Sequence, residues 1–535
     1  MRKLINSTIL KALFVVLIII APACTDNFER YNKPQDQPGD LPSYIKYGIL
    51  LQNMQQQVIP AIKNRYQMNE NLIGGHYGRY FSSSQLKTKW GGSGTFINYN
   101  PPAKDWATSP FDMTMSEIYS SWIPIKNMSQ REGMPYAWAQ VIRIAAMHRL
   151  TDMQGPIPYT LMGEVEGYTT AYDAQEDVYM AMFEDLDAAI EVLSNYATSS
   201  PEDRIYEDYD LIYLGDVSKW VKLANSLKLR MAMRISLVNP TKAQEYAEAA
   251  LNHVYGVITT NSDNAAIDYK GAADKNPLRQ LVEVYEDVVA GAEIVTYMQS
   301  YSDPRLELYF AKSTSGGVFA GLRAGAASET GWGNSYSWPK VKETDKVMWI
   351  SASEVAFLRA EMALNGWNAG GTAQALYEEA ITLSFTQNGL SATDAVNYYT
   401  NSTLVPVNHV DARGNAAWSY TPSIPYSLTI AWDDTDVKEM KLEKIITQKW
   451  IALYPLGTEA WCEQRRTGYP RFYPSVDNKS AESGIELVGP SRIRFSPTES
   501  ESTPETYEEA VRLLGGPDRF ATKLWWDVKT NKPAW

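Results

Sequence analysis

The four histidines stand at positions 76, 148, 253 and 409, far apart in the chain. No HExxH or CxxC spacing occurs, so the sequence offers no recognisable zinc site. A Walker loop and a GxGxxG turn are also absent, which removes the usual phosphate cradles. Ser84–Lys87 and Ser337–Lys340 have the SxxK spacing in which a lysine amine could take the proton of a nucleophilic serine. Neither has a companion KTG element, and a two-residue pattern recurs by chance in a chain of 535 residues. Asp433, Asp434 and Asp436 crowd three carboxylates that could hold calcium, but they lack an EF-hand frame and read as a solvated acidic turn. Paired glycosidase carboxylates leave no mark in a sequence, because their separation lies in space. No cofactor and no metal is predicted.

The remaining chemistry is aromatic. Tyr77, Tyr80, Phe81, Trp90, Tyr99 and Trp106 stud one Gly/Ser/Asn-rich stretch, and Trp332, Tyr336 and Trp338 stud another. In loops such rings either plug the core or offer flat faces to a ligand. A sugar presents C–H faces that suit an indole and hydroxyls that suit its polar neighbours. Trp90, Trp332, Tyr336 and Trp338 are therefore the candidate ligand-stacking residues, at least two of them expected to touch ligand. Loops that carry binding residues need a scaffold to hold them.

The N-terminus says where that scaffold works. Arg2, Lys3 and Lys11 precede an apolar run from Ala12 to Ala21, followed by Pro22, Ala23 and Cys24. This reads as an export signal, with an apolar run of ten residues against the roughly 20 that a membrane-spanning helix needs. Small residues before Cys24 resemble a bacterial lipobox, in which the cysteine receives a diacylglycerol and becomes the new N-terminus. The expected division is a leader over 1–23, a lipidated polar tether over 24–40 and one large body over 41–535. With Cys24 lipidated, Cys462 has no disulfide partner, and the fold must be held by its core. The formal net charge is −13, and loss of the leader's three basic residues lowers it by three to −16. That balance argues against nucleic acid as a partner. The 34 tyrosines and 16 tryptophans greatly outnumber the 13 phenylalanines, as suits stacking surfaces with polar rims.

Helical spacing marks the scaffold. Met182, Leu186, Ala189, Ile190 and Leu193 form one stripe, and Trp220, Leu223, Ala224, Leu227, Met231 and Ile235 another. Ala356, Ala360, Ala363 and Leu364 form a third, Leu376, Ala380 and Leu383 a fourth, and Ile446, Trp450, Leu453 and Tyr454 a fifth. Residues 352–388 read as helix, Gly-rich turn and helix, close in length to a tetratricopeptide repeat. One such unit cannot bury its own face, so 136–151 with 174–195 and 218–236 with 240–254 are candidates to stack with it. Between them lie long irregular stretches at 74–110, 261–350, 389–436 and 473–505.

Several strings together resemble one family. TDMQGPIPYT (151–160), MFEDLDAAIEVL (182–193), SKWVKLANSLKLRMAMRIS (218–236), ISASEVAFLRAEMALNGW (350–367), TQKWIALYPLGTEAWCEQRRTGYPRF (447–472), GPSRIRFSPTE (489–499) and LWWDV (524–528) resemble, in order, the elements of the SusD/RagB nutrient-binding lipoproteins. The resemblance implies a mainly α, SusD-like fold: four tetratricopeptide-like helix pairs carrying a loop-rich ligand face. It implies no enzyme but an outer-membrane lipoprotein on the cell exterior that captures oligosaccharide and caps a SusC-like TonB-dependent transporter. Peptide or another nutrient is the alternative ligand. The matched motifs are scaffold, so Arg465, Arg466 and Tyr469 are expected to be structural, and no ligand contact transfers from the family.

Overall fold

The stripes spaced for helices become the buried faces of helices. The computed structural model describes residues 41–533 apart from 84–92, 102–105, 165–169, 270–274, 327–331, 424–425, 481, 484 and 486–488. The longer helices are α1 (Ser43–Val58), α2 (Ser109–Ser129), α3 (Gly133–Gln154), α4 (Gln175–Ser199), α5 (Val217–Arg234), α6 (Pro240–Asn252), α7 (Ala292–Ser300), α8 (Ala352–Leu364), α9 (Ala373–Gln387), α10 (Ala392–Tyr399), α11 (Lys438–Leu453), α12 (Gly457–Thr467) and α13 (Pro504–Leu514). Residues 50–535 form one compact unit, and residues 1–49 another, of which 41–49 are described.

Local chemistry starts and stops these helices. Asp216 accepts from the backbone N–H groups of Ser218 and Lys219 at the head of α5, Ser351 from that of Glu354 in α8, and Thr372 from that of Ala375 in α9. Ser391 and Asp394 form a reciprocal capping box on α10. Gly468, at φ +86°, ends α12 in the left-handed region. The stripe on α5 is fully buried, from Trp220 to Ile235, and so is Met182 to Leu193 on α4. The expected helix pairs are present: α3 packs on α4, α5 on α6 and α8 on α9. They join through α4 on α5, α5 on α8 and α8 on α11.

The loop stretches are more ordered than their composition predicts. Three two-stranded antiparallel ribbons cross them: β1 (Phe81–Ser82) with β3 (Val289–Ala290), β2 (Ala265–Ile267) with β6 (Val347–Ile350), and β4 (Phe310–Ala311) with β5 (Trp338–Pro339). A π-helical run, Gln67–Gly75, packs against α12. Its closeness depends on glycine, since a Cβ on Gly457 would lie 2.3 Å from the Gly74 carbonyl carbon.

The family-like motifs meet in a buried ion network. Arg234 donates to Asp152, Glu459 and Glu463. Arg230 forks onto Glu354, Arg466 forks onto Glu361 and also reaches Glu463, and Arg149 pairs with Glu70. Every one of these side chains is at most 6% exposed. A charge inside a protein costs several kcal/mol unless it is paired, so such a network locks helix positions rather than simply adding stability. Arg465, 3% exposed, lies over Trp461 and bonds Cys462 Sγ, and Tyr469 is buried too. These side chains are scaffold, as the motif reading expects.

Three histidines are sealed in the neutral form. Burial pushes His76 and His148 down to about 3, with Arg79 and Arg230 adding to the effect, and burial pushes His409 down to about 4. An unfolded chain takes up a proton on each near pH 6.5, whereas the fold refuses it, so each contribution is complete above pH 6.5 and is lost as pH falls. The cost is roughly 2 kcal/mol per histidine between pH 7 and pH 5. Buried Asp152 and Glu293, whose carboxyls burial raises, act in the opposite direction, so the informative quantity is a difference between variants. His148→Gln is expected to lose about 2 kcal/mol less than wild type over that interval in urea unfolding. Parallel curves for the two proteins would refute the prediction.

Candidate ligand-binding face

Backbone pairing, rather than side chains, brings the middle loops together. Ala290 N–H donates to the Ser337 carbonyl at 2.8 Å, Leu322 N–H to the Ala290 carbonyl at 2.9 Å, and Ser337 N–H to the Ala320 carbonyl at 2.8 Å. Gly321 permits this, because a Cβ there would lie 2.2 Å from the Gly291 carbonyl oxygen. Beneath the pairing, Val289, Ala320, Leu322, Ala326, Tyr336 and Trp418 form a buried cluster, with Trp332, Trp338 and Val476 packed against it.

Trp332 and Trp338 are half-buried, packed against the cluster but not sealed in it. Trp338 Nε1–H donates to the Gly333 carbonyl at 3.1 Å, which fixes the ring to the turn that carries Trp332. Trp332 leans on Trp418, with centroids 5.5 Å apart. Tyr336 corrects the expectation: its side chain is 0% exposed and offers no face to a ligand. Its hydroxyl donates to Asp411 Oδ1 at 2.9 Å, and burial followed by that carboxylate raises its pKa. Tyr336 supports the two tryptophans from below. Trp90, the fourth candidate, lies outside the described residues, as does Cys24.

The earlier aromatics divide differently. Tyr77, Tyr80, Phe81 and Tyr99 are core, and Tyr80 stacks on Trp450 with centroids 5.5 Å apart. Trp106 is half-buried.

A hairpin-like turn completes the face. His409 and Tyr420 exchange backbone hydrogen bonds at 3.0 and 2.9 Å. Within the turn, Asp411 Oδ2 accepts from the N–H groups of Arg413 and Asn415. The Arg413 guanidinium lies 4.2 Å from the Trp332 ring centroid and donates to Ser335 Oγ at 3.1 Å. Arg323 props the far end, donating to the Pro474 and Ser419 carbonyls beneath the Tyr420 ring. The sequence reading did not single out Arg413, Trp418 or Tyr420. The aromatic-in-loop criterion that picked Trp332 applies equally to Trp418 and Tyr420.

The other motifs acquire plain roles. Ser337 Oγ accepts from the Ala320 N–H while Lys340 Nζ donates to the Glu307 carbonyl, so that SxxK pair forms no dyad; Ser84–Lys87 falls outside the described residues. Asp433 caps Thr435, Asp434 accepts from the Trp432 indole, and Asp436 pairs with Lys444. Among the described residues no group of three His, Cys, Asp or Glu side chains is placed to hold a metal ion. A cleft of about 760 Å³ is lined by Tyr66, Asn264, Tyr309, Met348, Asn388 and Tyr454 among others, and does not include Trp332 or Trp338. Asn264 and Asn388 both spend their amides on neighbouring protein groups. Trp332 and Trp338, both partly buried, are the candidate residues of this face.

Comparison with known proteins fits this architecture. Residues 31–527 match the SusD-like family, described as SusD and RagB outer membrane lipoprotein. The chain belongs to that family. A SusD homologue from Bacteroides uniformis is 39% identical, with a TM-score of 0.83 over 90% of this chain and 99% of that one. A SusD-like protein from Bacteroides thetaiotaomicron is 35% identical, with a TM-score of 0.84 over 91% and 99%. A SusD homologue from Flavobacterium johnsoniae described as chitin-binding is 32% identical, with a TM-score of 0.83 over 91% and 99%. Among proteins with curated descriptions, none matches the chain. No helix among the described residues is long and apolar enough to cross a membrane.

Proposed function

We propose that this protein is a lipid-anchored, glycan-binding member of its family. It captures oligosaccharide at the cell exterior and caps a SusC-like TonB-dependent transporter that imports it. The observation that carries the reading is the pair of half-exposed tryptophans, Trp332 and Trp338, held on a buried support in a SusD-like fold. The chitin-binding description of one structural relative supports a sugar as the ligand. Rings of this size, fixed in place, supply contact area at low entropic cost. The protein needs no catalytic step and no cofactor for this role.

A binding screen of the mature chain without its lipid, against glycan and peptide panels, tests the reading. Saturable glycan binding without product formation is the expected result. Binding confined to peptides would transfer the same capture role to a peptide ligand. Reproducible cleavage, lost when a carboxylate pair is mutated, would make the protein an enzyme. Pull-down from native membranes in mild detergent should recover a TonB-dependent receptor, through an interface larger than the roughly 1,600 Å² of a standard pair. Repeated recovery of the protein alone would count against the partnership.

The anchor has its own test. Cys24→Ala is expected to abolish labelled-lipid incorporation and to move the protein from the membrane to the soluble fraction, because the acyl chains supply the hydrophobic attachment. An alanine variant that stays equally membrane-bound would refute Cys24 as the anchor.

A further inference from the structure

We propose that the ligand is an acidic oligosaccharide, whose carboxylate or sulfate pairs with Arg413 beside Trp332. This rests on the glycan-binding reading and narrows it to a substrate class.

Three segments build the exposed edge of the face. Ser315 donates from both its N–H and its hydroxyl to the Asn334 carbonyl, tying the 312–319 loop to the 332–335 turn. Arg413 Nη1–H reaches Ser335 Oγ from the 409–420 turn. These three segments carry one acid, Asp411, which is 3% exposed and turned inward. Its two oxygens accept from the Tyr336 hydroxyl and from the Arg413 and Asn415 N–H groups. The carboxylate is thus consumed under the face, while the guanidinium stands outside on it. Lys312, also exposed, lies 5.4 Å from the Phe319 ring centroid on the adjoining loop. Neither Arg413 nor Lys312 has an ion-pair partner among the described residues.

Five other solvent-reaching arginines pair with carboxylates, Arg65 with Glu117, Arg131 with Glu164, Arg279 with Glu283, Arg494 with Glu482 and Arg512 with Glu509, whereas Arg519, also exposed, has no ion pair among the described residues. Arg413 lies over the Trp332 ring and donates one N–H to Ser335 Oγ. A guanidinium already in contact with a ring and a hydroxyl has further N–H groups that can fork onto an anion. One face of Trp332 is covered by the guanidinium, so a ligand arriving there meets the cation along with the ring. A neutral sugar offers that charge only hydroxyl acceptors, whereas a uronate or sulfated sugar adds an anionic, bidentate partner.

The test is calorimetric titration of the mature chain with an oligogalacturonate, a sulfated oligosaccharide and a neutral oligosaccharide of the same length, at low and high salt. Wild type is expected to favour an acidic ligand by about tenfold or more at low salt, with the margin shrinking as salt rises. Whichever acidic arm binds more tightly tells carboxylate from sulfate. Arg413→Gln should collapse the acidic-over-neutral preference about tenfold, and Arg413→Lys should retain part of it. Equal or tighter binding of the neutral glycan by wild type, no binding of either acidic glycan, or an intact preference in Arg413→Gln would overturn the proposal. Neutral-glycan binding that depends on Trp332 would in that case leave the glycan-binding reading standing. Binding of peptides alone would remove both.

Discussion

Arg234→Ala is expected to cost the fold about 3–5 kcal/mol, against total stabilities of about 5–15 kcal/mol for typical domains. The guanidinium touches three buried carboxylates at once, on Asp152, Glu459 and Glu463, from two helices besides its own. Burial pushes the Glu459 and Glu463 carboxyls up. Arg234, Arg230, Arg466 and Lys449 pull them down further, and both end below the usual carboxylate range. Their stabilising charge is present above the unfolded value near pH 4.3 and is lost as pH falls below it. Without Arg234, Glu463 keeps Arg466 and Lys449, but among the described residues the ion-pair partner left to Glu459 is Arg230 at 3.9 Å. At about 2.1 cal/mol/K of unfolding entropy per residue, a chain this long shifts by only about 1 °C per kcal/mol. The expected fall in Tm is therefore about 3–5 °C, with a plain decrease in urea midpoint. Arg234→Lys should lie between, since it keeps the charge and loses the fork. An alanine variant within about 1 kcal/mol of wild type would mean that the network tolerates a missing cation, and that helix packing alone sets these positions.

Gly457→Ala is the second large expected effect, and its cause is space. The added methyl would lie 2.3 Å from the Gly74 carbonyl carbon, 2.4 Å from the Gly75 nitrogen and 2.5 Å from the Gly74 oxygen. These are backbone atoms that no rotamer change can remove. Gly74 is constrained in return, with a Cβ there 2.5 Å from the Thr458 nitrogen. The Gln67–Gly75 run and α12 must separate to admit the methyl. Overpacking of this kind costs about 1–3 kcal/mol and exceeds that where the obstacle is rigid. Separation also disturbs the Arg149–Glu70 pair and the Thr458 contact to Glu70, which adds to the loss. A matched control is Gly366→Asn, at a left-handed position with open space around it, where asparagine is expected to change little. Comparable urea midpoints for the two variants would contradict the steric account.

Much of the scaffold is legible in the sequence because its information is local. The stripes on α4 and α5 repeat at helical spacing, and the caps at Asp216, Ser351 and Thr372 lie within three residues of the groups they satisfy. The site is less legible because its determinants are distant. Tyr336 and Trp338 look alike as loop aromatics, yet one is sealed and the other half-exposed. The difference is Asp411, 75 positions away, which gives the phenol a buried partner. Tyr77, Tyr80 and Phe81 sit in a Gly/Ser/Asn-rich stretch that reads as loop, but Trp450 and Tyr454 on and after α11 enclose Tyr80. Arg413 escapes notice for the same reason. Its significance depends on Trp332 and Ser335, which meet it only because β3 and the 409–420 turn bring distant segments together.

Whether Trp332 and Trp338 touch sugar is settled most directly by titrating the glycan identified in the screen into wild type, Trp332→Ala and Trp338→Ala, with Tm recorded for each. Loss of a stacking ring costs about 1–2 kcal/mol of binding, so at least one variant should bind about tenfold or more weakly while its Tm changes little. Wild-type affinity in both variants would contradict the account, and affinity lost only together with several degrees of Tm would return both tryptophans to the core.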